Sequence, residues 1–82
     1  MSTPIYETDR AVLFAGDCVD AMRGLPDASI DAVITDPPYA EVSRDYGRFT
    51  EESWRELMGG VVREVRRVLK PTGSAMFVLQ PN

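Results

Sequence analysis

The sequence predicts an α/β fold in which short parallel strands alternate with helices. Three short apolar runs occupy residues 11–15, 32–35 and 75–79 of the 82-residue chain. A segment with helical signals separates each run from the next. The middle run is β-branched and apolar on both faces, which is typical of a parallel sheet covered by helices. The resulting order, β-α-β-α-β, favours an open parallel sheet with right-handed crossovers.

The first helix is predicted from the signals at its two ends. Asp17 is a suitable N-cap, and Asp20 places a negative charge in the first turn, where the helix dipole favours it. Gly24 and Pro26 close the helix. Residues 1–10 are predicted to be an irregular lead-in, and residues 11–82 to form the domain portion.

A longer helix is predicted to begin after Thr50. Its apolar residues are spaced by three and four, which places them on one stripe. These residues are Trp54, Leu57, Met58, Val61, Val62, Val65, Val68 and Leu69. Trp54 is interpreted as a core residue. Gly59 and Gly60 indicate either close packing on the sheet or a break in the helix. Residues 71–73 (Pro-Thr-Gly) are predicted to end the helix.

The composition excludes several classes of protein. Each apolar run is far shorter than the ~20 residues of a membrane span, and the first residues contain no secretory signal. Cys18 is the only cysteine, so an internal disulfide is impossible and a reducing cytoplasm is expected. With no histidine and one cysteine, a zinc site built from these residue types is also excluded.

The net charge of −4 is unusual for a protein that contacts nucleic acid, since phosphates are neutralised by Lys and Arg. The charge is unevenly distributed: residues 1–39 carry two arginines against seven acids, and residues 40–82 carry seven basic residues against six acids. Four of the basic residues fall in the second half of the long helix. They are Arg63, Arg66, Arg67 and Lys70, and we interpret them as a solvated face that suits the carbonyl end of the helix dipole.

Asp36, Pro37, Pro38 and Tyr39 form the motif with the clearest chemical content. An exocyclic amine of adenine or cytosine is a poor nucleophile because its lone pair is delocalised into the ring. The Asp36 carboxylate and the Pro37 carbonyl can accept hydrogen bonds from the two N–H groups and stabilise the developing positive charge. The two prolines stiffen the turn. Tyr39 offers a stacking face to a base that has left its helix.

The same tetrapeptide is also a common strand-ending turn, because Asp and Pro are frequent turn formers. Its position between an apolar strand and an amphipathic helix favours the catalytic interpretation. Asp17 and Asp36 both follow predicted strands. In open parallel sheets, ligands bind beyond the carboxyl ends of the strands.

Four stretches together resemble a known family. They are Leu13-Phe14-Ala15-Gly16-Asp17-Cys18, Leu25-Pro26-Asp27-Ala28-Ser29-Ile30-Asp31, Asp36-Pro37-Pro38-Tyr39 and Arg67-Val68-Leu69-Lys70-Pro71-Thr72-Gly73-Ser74. With them, residues 11–82 resemble the amino-terminal part of the DNA N6-adenine/N4-cytosine methyltransferases in their circularly permuted order, in which the catalytic motif precedes the cofactor loop. Thr72 is a departure, since the family usually has two glycines after that proline.

The resemblance implies a partial Rossmann-like methyltransferase fold and a bacterial or phage-encoded cytoplasmic enzyme. Such an enzyme transfers a methyl group from S-adenosylmethionine to the exocyclic amine of a flipped base in double-stranded DNA. An aspartate at the head of the motif implies adenine N6, because many N4-cytosine enzymes of the family have serine there.

Residue roles follow from the same resemblance, position by position. Residues 36–39 (Asp36, Pro37, Pro38 and Tyr39) match the catalytic motif. Asp17 and the Cys18 backbone match the contact to the adenine of S-adenosylmethionine, and Asp36 also lies beside the cofactor. Helix capping is the alternative explanation of Asp17, and it requires no ligand.

The loop at residues 40–49 contains Arg44, Tyr46, Arg48 and Phe49. These residues either hold phosphates and fill the base stack, or belong to a solvated loop whose aromatic rings fold back on the core.

Part of the expected machinery lies outside this sequence. None of the six glycines forms a G-x-G turn. The family's Phe-x-Gly-x-Gly cofactor element and its target-recognition segment are expected in a downstream segment or a second chain, and residues 1–82 alone are expected to be inactive. The chain is therefore either a catalytic segment completed elsewhere or a non-catalytic α/β module that retains the motif.

Overall fold

The computed structural model describes residues 3–41, 43–44 and 47–79. These residues form a mixed α/β arrangement of two helices and three two-stranded sheets. The elements in chain order are β1 (Pro4–Glu7), β2 (Val12–Phe14), α1 (Cys18–Arg23), β3 (Ile30–Thr35), β4 (Ser43–Arg44), β5 (Gly47–Arg48), α2 (Glu51–Val68) and β6 (Leu69–Phe77).

Strands β3 and β6 pair in parallel, and α2 lies in the connection between them. Residues 32–35 face residues 74–77, so Ala32 is opposite Ser74 and Thr35 is opposite Phe77. The predicted parallel pairing of residues 32–35 with the third apolar run is therefore confirmed. The strand bounds differ from the prediction, since β6 begins at Leu69 and ends at Phe77 rather than covering residues 75–79.

Strand β2 lies outside the parallel sheet. Among the described residues, its backbone pairing is with β1, in an antiparallel hairpin. The prediction of an irregular lead-in over residues 1–10 is thus wrong. Thr8 explains the hairpin, because its hydroxyl accepts hydrogen bonds from the N–H groups of Arg10 and Ala11 at 3.1 and 3.0 Å and closes the turn. Among the described residues, the second and third apolar runs therefore form the parallel pair, and the first run has no ladder to residues 32–35.

Both predicted helix caps are confirmed. Asp17 Oδ1 accepts from the N–H groups of Val19 and Asp20 at 2.8 and 3.2 Å. Thr50 accepts from the N–H of Ser53 at 3.1 Å. These side chains satisfy donors that the first turn of a helix leaves without partners.

Helix α2 runs without a break through Gly59 and Gly60, so the alternative of a helix break at these glycines is wrong. Val61, Val65 and Val68 are its buried residues. A Cβ atom at Gly60 would lie 3.5 Å from the side chain of Val19, so this glycine faces α1 rather than the sheet. Val62 was placed on the apolar stripe, but it is half exposed.

The end of α2 differs from the prediction, because Leu69 already has extended backbone and begins β6. The register between β3 and β6 shifts between Ile30 and Ala32. Gly73 lies in this irregular stretch. A Cβ there would approach the Asp31 and Lys70 carbonyl oxygens to 3.0 Å, so only glycine fits.

Arg67 joins α2 to the segment between α1 and β3. Its guanidinium donates to the carbonyls of Met22 and Leu25 at 2.7 and 2.8 Å, and it forms ion pairs with Asp27 and Glu64. Hydrogen bonds to the Asp27 and Glu64 carboxylates raise the pKa of Arg67 above the usual arginine value. The interpretation of this arginine as part of a solvated face was therefore wrong.

Neither helix of the described part of the chain has the length and apolar character needed to cross a membrane.

Candidate active site

The Asp36 motif begins where β3 ends. The N–H of Val78 donates to the carbonyl of Thr35 at 2.9 Å. The residue after β6 therefore lies beside the last residue of β3, next to the motif. Asp36 itself is exposed, Pro37 is buried, and Pro38 and Tyr39 are half-buried. The buried proline anchors the turn, and the carboxylate at its head is left accessible to a ligand.

The Tyr39 hydroxyl contacts the residues that directly follow the two strands of the parallel sheet. Its oxygen is 3.4 Å from Asp36 Oδ1 and 3.5 Å from the carbonyl oxygen of Val78, at the long end of hydrogen-bond distances. The motif thus folds back on itself, and its first and last side chains meet. The four residues of the motif, which are contiguous in sequence, thus form one compact turn after β3.

Trp54 contacts the motif from the first turn of α2. Its indole N–H donates to the carbonyl oxygen of Pro38, with 2.5 Å between nitrogen and oxygen, and the contact is partly buried. Trp54 was interpreted as a core residue. The spacing of apolar residues in α2 did not predict this contact. Such spacing indicates which face of the helix is buried, but it does not indicate which carbonyl group accepts from the indole N–H.

Asp17 and Cys18 lie apart from the motif in the hydrogen-bond network. Cys18 is exposed and carries a free thiol. Asp17 precedes α1 at the end of β2, and no hydrogen bond or ion pair among the described residues joins either residue to residues 36–39. Both capping bonds of Asp17 use Oδ1, so the capping role does not occupy Oδ2. Capping is established, and it leaves a carboxylate oxygen that a ligand can reach.

The described residues of the loop after the motif include two short strands, β4 and β5, which pair in antiparallel fashion. Glu41 ties this loop to α2, since its carboxylate pairs with Arg48 and accepts from the Glu51 N–H at 3.1 Å. Arg48 therefore has an acidic partner within the loop. Phe49 is half-buried and bridges to Ala40. Tyr46 lies outside the described residues.

Among the described residues, two of the predicted site residues present groups that could hold a cofactor. They offer exposed carboxylates at Asp17 and Asp36, which suit the hydroxyl and amino groups of a nucleoside. Gly16 has a φ of 132° and Gly47 a φ of 108°, but no glycine of the sequence is followed two residues later by another. A close backbone approach of the G-x-G type is therefore not available. No group of three potential metal ligands occurs in the described part of the chain.

Comparison with known proteins agrees with this geometry. A family model described as DNA methylase matches residues 30–82. The Type II methyltransferase M.PvuII of Proteus hauseri is 31% identical over 72 residues, which cover 87% of this chain and 21% of that protein. The Type II methyltransferase M.SfiI of Streptomyces fimbriatus is 40% identical over 70 residues, which cover 77% of this chain and 16% of that protein.

M.BamHI of Bacillus amyloliquefaciens is 32% identical over 75 residues, with 87% of this chain and 18% of that protein covered. The chain thus spans about a fifth of the length of these curated relatives. No solved structure gives a significant match.

Proposed function

This chain belongs to the DNA methylase family, and we propose that it is the catalytic segment of a DNA methyltransferase that uses S-adenosylmethionine. The observation that carries the proposal is the motif itself. An exposed carboxylate, a buried proline and an aromatic ring stand together at the carboxyl end of a parallel strand, where such sheets place their ligands.

In the proposed reaction the motif acts on the exocyclic amine of a flipped base. Asp36 and the Pro37 carbonyl accept the two N–H hydrogen bonds, which frees the nitrogen lone pair for attack on the methyl group. Their fixed dipoles stabilise the positive charge that develops on the nitrogen. The ring of Tyr39 replaces the stacking that the base has lost.

S-adenosylmethionine supplies the methyl group when it is bound. From this chain, Asp17 through its second carboxylate oxygen, the Cys18 backbone and Asp36 would hold the nucleoside part. A further segment, either downstream or on a second chain, supplies the glycine-rich turn and the recognition of the DNA sequence. The relatives, which are several times longer, leave ample room for such segments.

The pairing of the strands supports completion by another segment. A self-contained module would place β2 directly beside β3, with a ladder between them. Among the described residues, β2 pairs with β1 and β3 pairs with β6. The edge of β3 away from β6 is therefore open to strands from elsewhere, and the non-catalytic alternative has no such observation in its favour.

We further propose adenine as the target, because aspartate heads the motif. Cells that express the chain together with the coding sequence following it in its own genome should contain N6-methyladenine, which mass spectrometry of their DNA detects. N4-methylcytosine as the product would contradict this assignment. That coding sequence should also encode Phe-x-Gly-x-Gly.

The enzymatic role can be tested in a hybrid enzyme, in which this chain replaces the matching segment of M.PvuII. The hybrid should transfer labelled methyl groups from S-adenosylmethionine to DNA, and the same hybrid with Asp36→Ala should not. A folded hybrid that binds DNA and cofactor but transfers no methyl group would refute the proposed function.

A further inference from the structure

The prolines of the motif restrict the backbone less at Pro38 than at Pro37. The rings fix φ at both residues. Because Pro37 precedes a proline, its ψ is also confined to the extended region. Tyr39 follows Pro38 and imposes no such limit, so ψ of Pro38 can take helical or extended values. Together with φ of Tyr39, this torsion sets where Tyr39 lies relative to Asp36 and Pro37.

Trp54 acts on that torsion. Rotation about ψ of Pro38 swings the Pro38 carbonyl, and the indole N–H of Trp54 holds this carbonyl at 2.5 Å. The donor belongs to α2, an 18-residue helix whose buried valines anchor it to the rest of the fold. The carbonyl is therefore held by a rigid element rather than by another part of the loop.

The far side of the motif shows the result of this restraint. With Pro38 held in this way, the Tyr39 hydroxyl comes within 3.4 Å of Asp36 Oδ1 and 3.5 Å of the Val78 carbonyl. Both contacts are long and exposed, which makes them weak hydrogen bonds. The partly buried bond from Trp54 to the Pro38 carbonyl is shorter than either of them.

We propose that Trp54 is a positioning residue, whose indole N–H sets the place of Tyr39 relative to the Asp36 carboxylate and the Pro37 carbonyl. Its catalytic consequence rests on the proposed function, since the aligned groups are those that contact the flipped base. A partly buried indole N–H will donate to any carbonyl that lies nearby. The test must therefore distinguish two roles of the hydrogen bond from Trp54. Either it positions Tyr39, or it only gives the partly buried indole N–H a partner.

The first measurement needs only the 82-residue chain. Trp54 is the only tryptophan, so its indole resonance in a ¹H–¹⁵N spectrum is assigned without ambiguity. Within the motif only Asp36 and Tyr39 have backbone N–H groups. Trp54→Phe keeps an aromatic ring and removes the donor. We expect it to shift the Asp36 and Tyr39 resonances and to speed exchange of the Tyr39 amide.

Val61→Ala serves as the matched control, because it removes buried volume from the same helix two turns away from the motif. It should lower the midpoint of thermal unfolding without moving the Asp36 and Tyr39 resonances. The positioning role would be overturned if the Asp36 and Tyr39 resonances were unchanged in Trp54→Phe. It would also be overturned if Val61→Ala shifted these resonances in the same way.

The second measurement uses the hybrid enzyme. Trp54→Phe should lower kcat roughly tenfold, the scale expected for a small misplacement of reacting groups, and should leave the KM for S-adenosylmethionine unchanged. Val61→Ala should leave kcat unchanged. Equal kcat in parent and Trp54→Phe hybrids would overturn the proposal. An inactive parent hybrid would contradict the proposed function alone, and the resonance measurement would then decide the role of Trp54.

Discussion

Ile34 and Met76 lie opposite each other in the parallel ladder, and both side chains are largely exposed, at 75% and 60%. The neighbours of Ile34 along the strand, Val33 and Thr35, point to the other face and are half-buried. Parallel sheets are normally covered on both faces. The face that carries Ile34 and Met76 is thus available to a further layer of the catalytic domain.

We expect this apolar face to cause self-association of the isolated chain. Ile34→Thr keeps the β-branch and makes the face more polar, so it should reduce association at high protein concentration. Analytical ultracentrifugation measures the effect. Val62→Thr is the control, since Val62 is an exposed valine of α2 that lies outside the sheet. An equal reduction by both variants would show that the sheet face has no special role.

Asp36→Ala should abolish most of the methyl transfer by the hybrid enzyme. The variant removes one of the two acceptors for the amine, and a loss on the order of 10²-fold or more in kcat is expected. The KM for S-adenosylmethionine should change little, because in the proposed enzyme the glycine-rich turn of a further segment holds much of the cofactor. Single-turnover assays under saturating cofactor measure the effect. Near-normal turnover would remove Asp36 from the mechanism.

Residues 1–82 by themselves should bind S-adenosylmethionine weakly and should not methylate DNA. Asp17, Cys18 and Asp36 are the candidate contacts of this chain, and we propose that a further segment supplies the glycine-rich turn. Isothermal titration calorimetry at high protein concentration is a direct test. A micromolar dissociation constant would mean that this chain contains a complete cofactor site, contrary to our proposal.

Two glycines should respond to alanine in opposite ways. Gly73→Ala forces a Cβ against two carbonyl oxygens at 3.0 Å, and crowding of this kind costs about 1–3 kcal/mol. At Gly59 the added Cβ meets open space within a helix, where alanine is favoured by about 1 kcal/mol. Denaturant unfolding of the two variants compares them directly. A stabilising Gly73→Ala would contradict the packing of β6 across Asp31.

Local chemistry was enough to predict the helix starts and the parallel pair. Asp17 and Thr50 cap their helices through bonds to residues two or three positions away, so a short stretch of sequence contains the whole interaction. The apolar, β-branched character of residues 32–35 similarly predicted a strand of the parallel sheet, although Ala32 and Ile34 are exposed in it. The Asp36 motif was recognisable for the same reason, since its four residues are contiguous.

Contacts between distant residues were not predictable in this way. Arg67 binds carbonyls 42 and 45 positions earlier in the chain, and Trp54 binds one 16 positions earlier. Nothing in the spacing of α2 distinguishes Arg67 from the exposed Arg66 beside it. Strand β1 was missed because it is exposed at every position, so burial leaves no periodic pattern in its sequence.

The contacts of Arg67 join two parts of the fold. One part runs from β3 to β6 and is held by the parallel ladder, with α2 in the connection. By contrast, α1 is held to it by packing at Gly60 and by long-range bonds from Arg67. Asp17 and Asp36, the two carboxylates proposed to hold the nucleoside, stand on opposite sides of this junction. A ligand that bound both would add a further link between the two parts of the fold.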